Sequence, residues 1–123
     1  MIPAVFGAAV LAGGLAAVAR YLVTRSVGPT PFPWAVLLVN VMGSAMGGAA
    51  LGMVQAGALP AEWELVVLGG VAGGLTTFST LAVGTVQIAQ AGRRWWAVGN
   101  VLGSLVLGIA AVCAGWMAVA LFA

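Results

Sequence analysis

Six charged side chains in 123 residues, gathered at three places, leave four long apolar stretches between them. Arg20 and Arg25 make the first cluster, Glu62 and Glu64 the second, Arg93 and Arg94 the third. A helix needs roughly 20 apolar residues to cross the hydrocarbon of a bilayer, so this length allows at most about four or five crossings and no sizeable domain outside them. Mean hydropathy is +1.20 and the charged share is 5%, where a soluble domain has about a quarter. Whatever this chain does, it does inside a membrane.

The residue inventory narrows the chemistry. There is no His, Asp or Lys, and the only carboxylates are Glu62 and Glu64. Metal sites built from His, Cys and carboxylates, His-assisted nucleophiles and paired-carboxylate catalysis all need residues that are missing, so an enzyme is not expected. Cys113 stands alone in an apolar run and reads as a small hydrophobe. Four scattered arginines on a lipid-facing body offer no surface for nucleic acid.

Helices are predicted over residues 2–23, 34–55, 62–91 and 95–122, forming one all-α membrane domain. The first run lacks a basic leader before it, so it reads as a retained helix rather than a signal peptide. Residues 26–33 (SVGPTPFP) carry three prolines and must be a turn. Tyr21 and the five tryptophans fall at predicted helix ends, the level where amphipathic rings prefer to sit. Every arginine lies on one side of the predicted bundle and both glutamates on the other. The positive-inside tendency makes the arginine side cytoplasmic and sends both termini outward.

Small residues recur at four-residue spacing, as in Gly43/Gly47, Gly48/Gly52, Gly69/Gly73, Gly70/Gly74 and Gly99/Gly103. Such pairs share a helix face and let backbones approach, which accounts for most of the glycines. It does not account for the centre of the third segment, where Gly73 and Gly74 precede four hydroxyls within five residues. A break is expected at about 73–80, near mid-membrane, where freed backbone groups cost several kcal/mol each unless the protein or an ion satisfies them. An ion site is one reading, since discontinuous helices present carbonyls to cations and N-termini to anions. Simple bonding of the hydroxyls back to the preceding turn is the other.

Asn40/Ser44 and Asn100/Ser104 are i, i+4 pairs that should face protein or water. A role in conduction is favoured for Asn40; bundle bonding and pore lining stand equal for Asn100 and Ser104. Arg20 either sits at membrane depth or snorkels to the interface beside Tyr21. With no carboxylate or His inside the predicted spans, proton coupling is not expected, and passive conduction past neutral donors suits the inventory.

Residues 14–21 (GLAAVARY), 39–44 (VNVMGS) and 73–80 (GGLTTFST) resemble the signatures of the Fluc (CrcB-like) fluoride channels, over essentially the whole chain. The resemblance implies an antiparallel dual-topology dimer in the bacterial inner membrane, with two pores that export fluoride passively. It also implies a structural sodium ion at the dimer centre, held by main-chain carbonyls at the positions of Gly73 and Thr76 from both subunits. Along the fluoride path it places Asn40 as a side-chain donor and Phe78 as a ring-edge station. Ser79 and Thr80 supply hydroxyls beside it, Arg20 stands near an aqueous vestibule, and Ser104 belongs to the fourth-helix polar track. A ring edge is the positive part of an aromatic quadrupole, suited to an anion.

The chain departs from that pattern at Leu81, usually a second phenylalanine, at Ala82, usually serine, at Gly84, commonly acidic, and at Asn100, often tyrosine. A dual-topology subunit should also show little arginine asymmetry, which this chain does not. Both departures suit a paralogous partner of inverted bias in a heterodimer with unequal pores. A non-conducting accessory subunit is a further reading. A small multidrug exporter is a weaker one, because it needs a first-helix carboxylate that is absent.

Overall fold

The computed structural model describes residues 2–122. Helix α1 spans Pro3–Val27, with proline in its first turn where a missing N–H costs nothing. It runs past the expected end at residue 23 because charge does not stop a helix. Thr24 Oγ1 and Ser26 Oγ bond back to Arg20 O and Leu22 O, and the chain leaves helix only at Gly28, whose φ of 71° precedes Pro29. Helix α2 spans Trp34–Gln55 and follows Pro33.

The third segment is two helices. Residues 61–75, here α3, contain a π-helical stretch, Leu65–Ala72, between short α-helical turns at Ala61–Glu64 and Gly73–Leu75. Thr76 and Thr77 are extended, with ψ of 156° and 118°. Helix α4 then spans Phe78–Gln90. The break is thus two residues wide, not the eight expected. Both glycines stay helical, and Phe78, Ser79 and Thr80 already belong to the next helix. After a turn at Gly92, helix α5 spans Arg94–Phe122.

Four spans are long and apolar enough to cross a membrane among the described residues, counting α3 and α4 together. In this up-and-down order both arginine-bearing turns fall at one end of the bundle and Pro60 at the other. Helices α1 and α3 run side by side, as do α2 and α5. A Cβ at Gly48 would strike the Val112 carbonyl, and one at Gly115 the Ala45 carbonyl, so α2 and α5 meet backbone to backbone. By contrast, Gly99 and Gly103 have nothing within 4 Å of the place a Cβ would take, so that pair packs no helix within one chain. A small core of Ala16, Val39 and Leu75 lies just beneath the break, with Val39 fully buried.

A backbone carbonyl cannot move aside as a side chain can. Gly48→Ala should therefore destabilise the protein by about 1–3 kcal/mol, the usual range for overpacking. Gly99→Ala should be neutral or slightly stabilising, because alanine is the better helix former and meets nothing. Thermal melts of the two purified variants in detergent test this contrast, and equal melting points would contradict the crossing.

Candidate functional site

Three helices converge on the break. In a continuous helix the Thr77 N–H would donate to Gly73 O. Here it donates to Asn40 Oδ1 at 2.7 Å, while Asn40 Nδ2 donates to Thr77 O at 3.2 Å. One carboxamide on α2 thus takes the place of the helical bond from the Thr77 N–H to Gly73 O and adds a donor to the Thr77 carbonyl, and the Gly73 carbonyl loses the donor that the next turn would supply. Thr76 keeps its own bond to the preceding turn, its N–H reaching Ala72 O at 3.0 Å and its Oγ1 the same oxygen at 2.9 Å. The Thr76 carbonyl, turned outward by the extended backbone, accepts from Arg20 Nη1 at 2.7 Å.

Arg20 therefore points along α1 into the bundle rather than snorkelling. Arg25, one turn later, takes the surface role, donating to the Tyr21 hydroxyl at 3.2 Å. Extended residues at 76 and 77 also start α4 cleanly. Thr77 caps it, Oγ1 accepting from the Thr80 N–H at 3.2 Å, and the same hydroxyl contacts Thr80 Oγ1 at 3.0 Å and Ser79 Oγ at 3.3 Å. The positive end of the α4 dipole is thereby aimed at the break.

A cleft lined by Gly73, Thr76 and Glu64 among others borders the break on the α3 side, and two more flank it that Thr77 lines. One, of about 390 Å³, is lined by Arg20, Tyr21, Thr24, Thr77 and Thr80 among others. The other, of about 270 Å³, is lined by Asn40, Ser44, Thr76, Thr77, Phe78 and Leu81. Phe78 stands at its edge, 82% exposed, with no second wall from this chain. Of the residues singled out in the sequence, Arg20, Asn40, Phe78, Ser79, Thr80, Gly73 and Thr76 thus gather within two turns of the break.

Ser104 does not join them. Its Oγ is buried without a partner on α5 and lines neither cleft. Asn100, one turn before, is 1% exposed. Its Nδ2 donates to Thr85 Oγ1 at 2.9 Å, which itself donates to Leu81 O at 2.7 Å, a bond that ties α5 to α4. Thr77 was counted in the hydroxyl cluster but given no role of its own, and Thr85 was passed over. For Thr77 a signal existed, a threonine ahead of a helical run, at a position where N-caps are preferred. For Thr85 there was none.

The donors here suit an anion: the remaining guanidinium N–H groups, the Ser79 and Thr80 hydroxyls and the free N–H of Asn40. The Gly73 carbonyl, and the second lone pair of Thr76 O, suit a cation. Residues 7–116 match the model of the CrcB-like protein family, described as Camphor Resistance (CrcB). The chain belongs to that family. Among curated CrcB-like relatives, the Fluoride-specific ion channel FluC 1 of Rubrobacter xylanophilus is 42% identical over 120 residues, covering 94% of this chain and 93% of the relative. The Fluoride-specific ion channel FluC of Thermus thermophilus is 41% identical over 103 residues, covering 80% and 82%. That of Nitrobacter winogradskyi is 39% identical over 113 residues, covering 87% and 89%.

Proposed function

We propose that this CrcB-like chain is a passive fluoride channel of the bacterial plasma membrane that releases fluoride from the cytoplasm. The observation that carries the reading is the break at Thr76 and Thr77, clamped by Asn40 and met by Arg20. It assembles hydroxyls, amide N–H groups and a helix N-terminus beside one arginine, with no carboxylate lining either Thr77 cleft. A small, tightly hydrated anion gives up water only to several donors at once, and this arrangement offers them. Relatives named as fluoride-specific channels, matched over nearly the whole chain, support the ion.

The working unit is an antiparallel dimer with two pores. The open side of the Phe78 cleft supports a second subunit, since a ring 82% exposed is half of a wall. At the dimer centre the Gly73 and Thr76 carbonyls would hold a sodium ion, whose charge would neutralise freed main-chain dipoles. The Gly73 carbonyl, relieved of its helical donor, fits that role, and Thr76 O shares its electrons with Arg20. Leu81, beside Phe78 in the same cleft, favours one variation, a dimer with a paralogue that supplies the second ring.

Fluoride-electrode efflux from liposomes containing this chain tests the reading. Wild-type protein should empty the vesicles of fluoride within seconds of adding an ionophore for the counter-ion. Phe78→Ile, which removes the ring edge and keeps the bulk, should slow efflux at least about tenfold, consistent with an aromatic contact of roughly 1.5 kcal/mol. Efflux only in the presence of a paralogue would assign this chain to a heterodimer. No efflux under either condition would overturn the channel reading.

A further inference from the structure

At the arginine-bearing end of the bundle, stacked rings tie two turns together. The ring of Phe32, in the turn before α2, lies 4.6 Å from that of Trp34 and 6.1 Å from that of Trp96, which it meets edge-on. The Arg93 guanidinium in its turn lies 5.4 Å from the centre of the Trp96 ring. Such a stack positions a guanidinium by its face and leaves its N–H edge free. Arg94, the first residue of α5, and Trp95, 85% exposed, carry the patch outward.

No acidic side chain balances these two exposed arginines, since Glu62 and Glu64 start the third segment at the opposite end of the bundle. The first turn of α5 holds no acidic residue either, so the positive end of its dipole adds to the charge instead of offsetting it. Exposed tryptophans such as Trp34, Trp95 and Trp96 settle at the level of lipid headgroups. Trp95, Val98, Leu102 and Leu105 follow one another at steps of three or four residues and share one face of α5. All four are exposed, so an apolar strip leads from the arginines toward the membrane interior.

Two unbalanced guanidinium groups above an apolar strip complement a molecule with a phosphate at one end and hydrocarbon at the other. We infer that Arg93 and Arg94 hold the phosphate of an anionic phospholipid whose acyl chains lie along the Trp95 face of α5. The planar fork of arginine fits phosphate oxygens two at a time. A zwitterionic lipid also brings a phosphate, but its choline returns a positive charge to the patch, so the site selects lipids of net negative charge. A phosphate ion without chains gains nothing from the apolar strip. The bound lipid fixes this end of the bundle in an anionic leaflet, whether or not the chain conducts.

Native mass spectrometry of the full-length protein, released from micelles holding equal amounts of phosphatidylglycerol and phosphatidylcholine, counts the lipids it retains. An arginine near an anionic surface contributes about fivefold in affinity, so wild type should retain phosphatidylglycerol over phosphatidylcholine by about 25-fold. Arg93→Gln and Arg94→Gln should each reduce that preference about fivefold, and the double variant should abolish it. Arg25→Gln removes an exposed arginine already engaged with the Tyr21 hydroxyl, and should leave the preference within about twofold of wild type. Sodium phosphate should displace the lipid no more than sodium chloride of the same ionic strength does. Equal retention of the two lipids by wild type would overturn the site. A loss in Arg25→Gln as large as that in Arg94→Gln would also overturn it, because the preference would then follow overall charge rather than this patch. Displacement by phosphate beyond the effect of ionic strength would do the same, as the mark of an ion site to which the chains contribute nothing.

Discussion

Asn40→Ala is expected to cut fluoride efflux by roughly 30- to 1,000-fold and to lower the melting temperature of the protein. The substitution strips the Thr77 N–H of the partner it has in place of its helical one and takes a further donor from the Thr77 carbonyl. Each unsatisfied buried group costs about 1–3 kcal/mol, and at least as much at membrane depth, where no water can substitute. Some 2–4 kcal/mol lost from the conducting arrangement corresponds to that range of rates. The chain has one inexpensive escape, which is to wind the Thr77 N–H back onto Gly73 O. That repair would close the break, re-cover the Gly73 carbonyl and unmake the N-terminus of α4. Asn40→Asp separates the two roles. A carboxylate still accepts from the Thr77 N–H but cannot donate to Thr77 O, and it sets a negative charge beside an anion path. It should lose efflux as severely as alanine while keeping more of the stability. Liposome efflux and thermal melts of both variants decide the matter; near-normal efflux in Asn40→Ala would mean that the break is held by something other than this carboxamide.

What the sequence made legible was whatever depends on neighbouring residues. Apolar run length gave the existence of the spans, and the Gly-Pro turns gave the places where the chain reverses. The position of the break could be read from Gly73, Gly74 and the hydroxyls after them, but its extent could not. Weak helix formers do not leave a helix unless something better is offered, and the better offer comes from Asn40, on another helix. So the glycines stay wound and two threonines unwind. The same holds for the π-helical stretch at Leu65–Ala72. There the helix passes close to α1 at Gly70, where a Cβ would come within 2.7 Å of Ala9 O, a neighbour that no local pattern announces. Asn100 and Ser104 were left between two roles because their spacing says only that they share a face. Whether that face meets Thr85 or a cleft is decided by how α4 lies against α5, which no local pattern records.

Arg20→Gln is expected to slow efflux by about 10- to 150-fold. Its guanidinium is bound to Thr76 O at 2.7 Å and its remaining N–H groups border the cleft shared with Thr80. A hydrogen bond to a charged group contributes about 1.5–3 kcal/mol, which gives the magnitude. Two effects are combined in that figure, the fixing of an outward carbonyl and the supply of positive charge, and Arg20→Lys separates them. Lysine keeps the charge but presents it as a compact, strongly hydrated point on a flexible stem, without the planar fork. If charge dominates, Arg20→Lys should recover most of the current at low ionic strength, and its advantage over Arg20→Gln should fade as salt screens the cleft. If the fork dominates, lysine and glutamine should be equally poor at every salt concentration, and both should melt below wild type because Thr76 O has lost its partner. Normal current in Arg20→Gln would leave the arginine as an anchor between α1 and α3 alone, and the donors at the break would then have to strip water from the ion without help from a fixed positive charge.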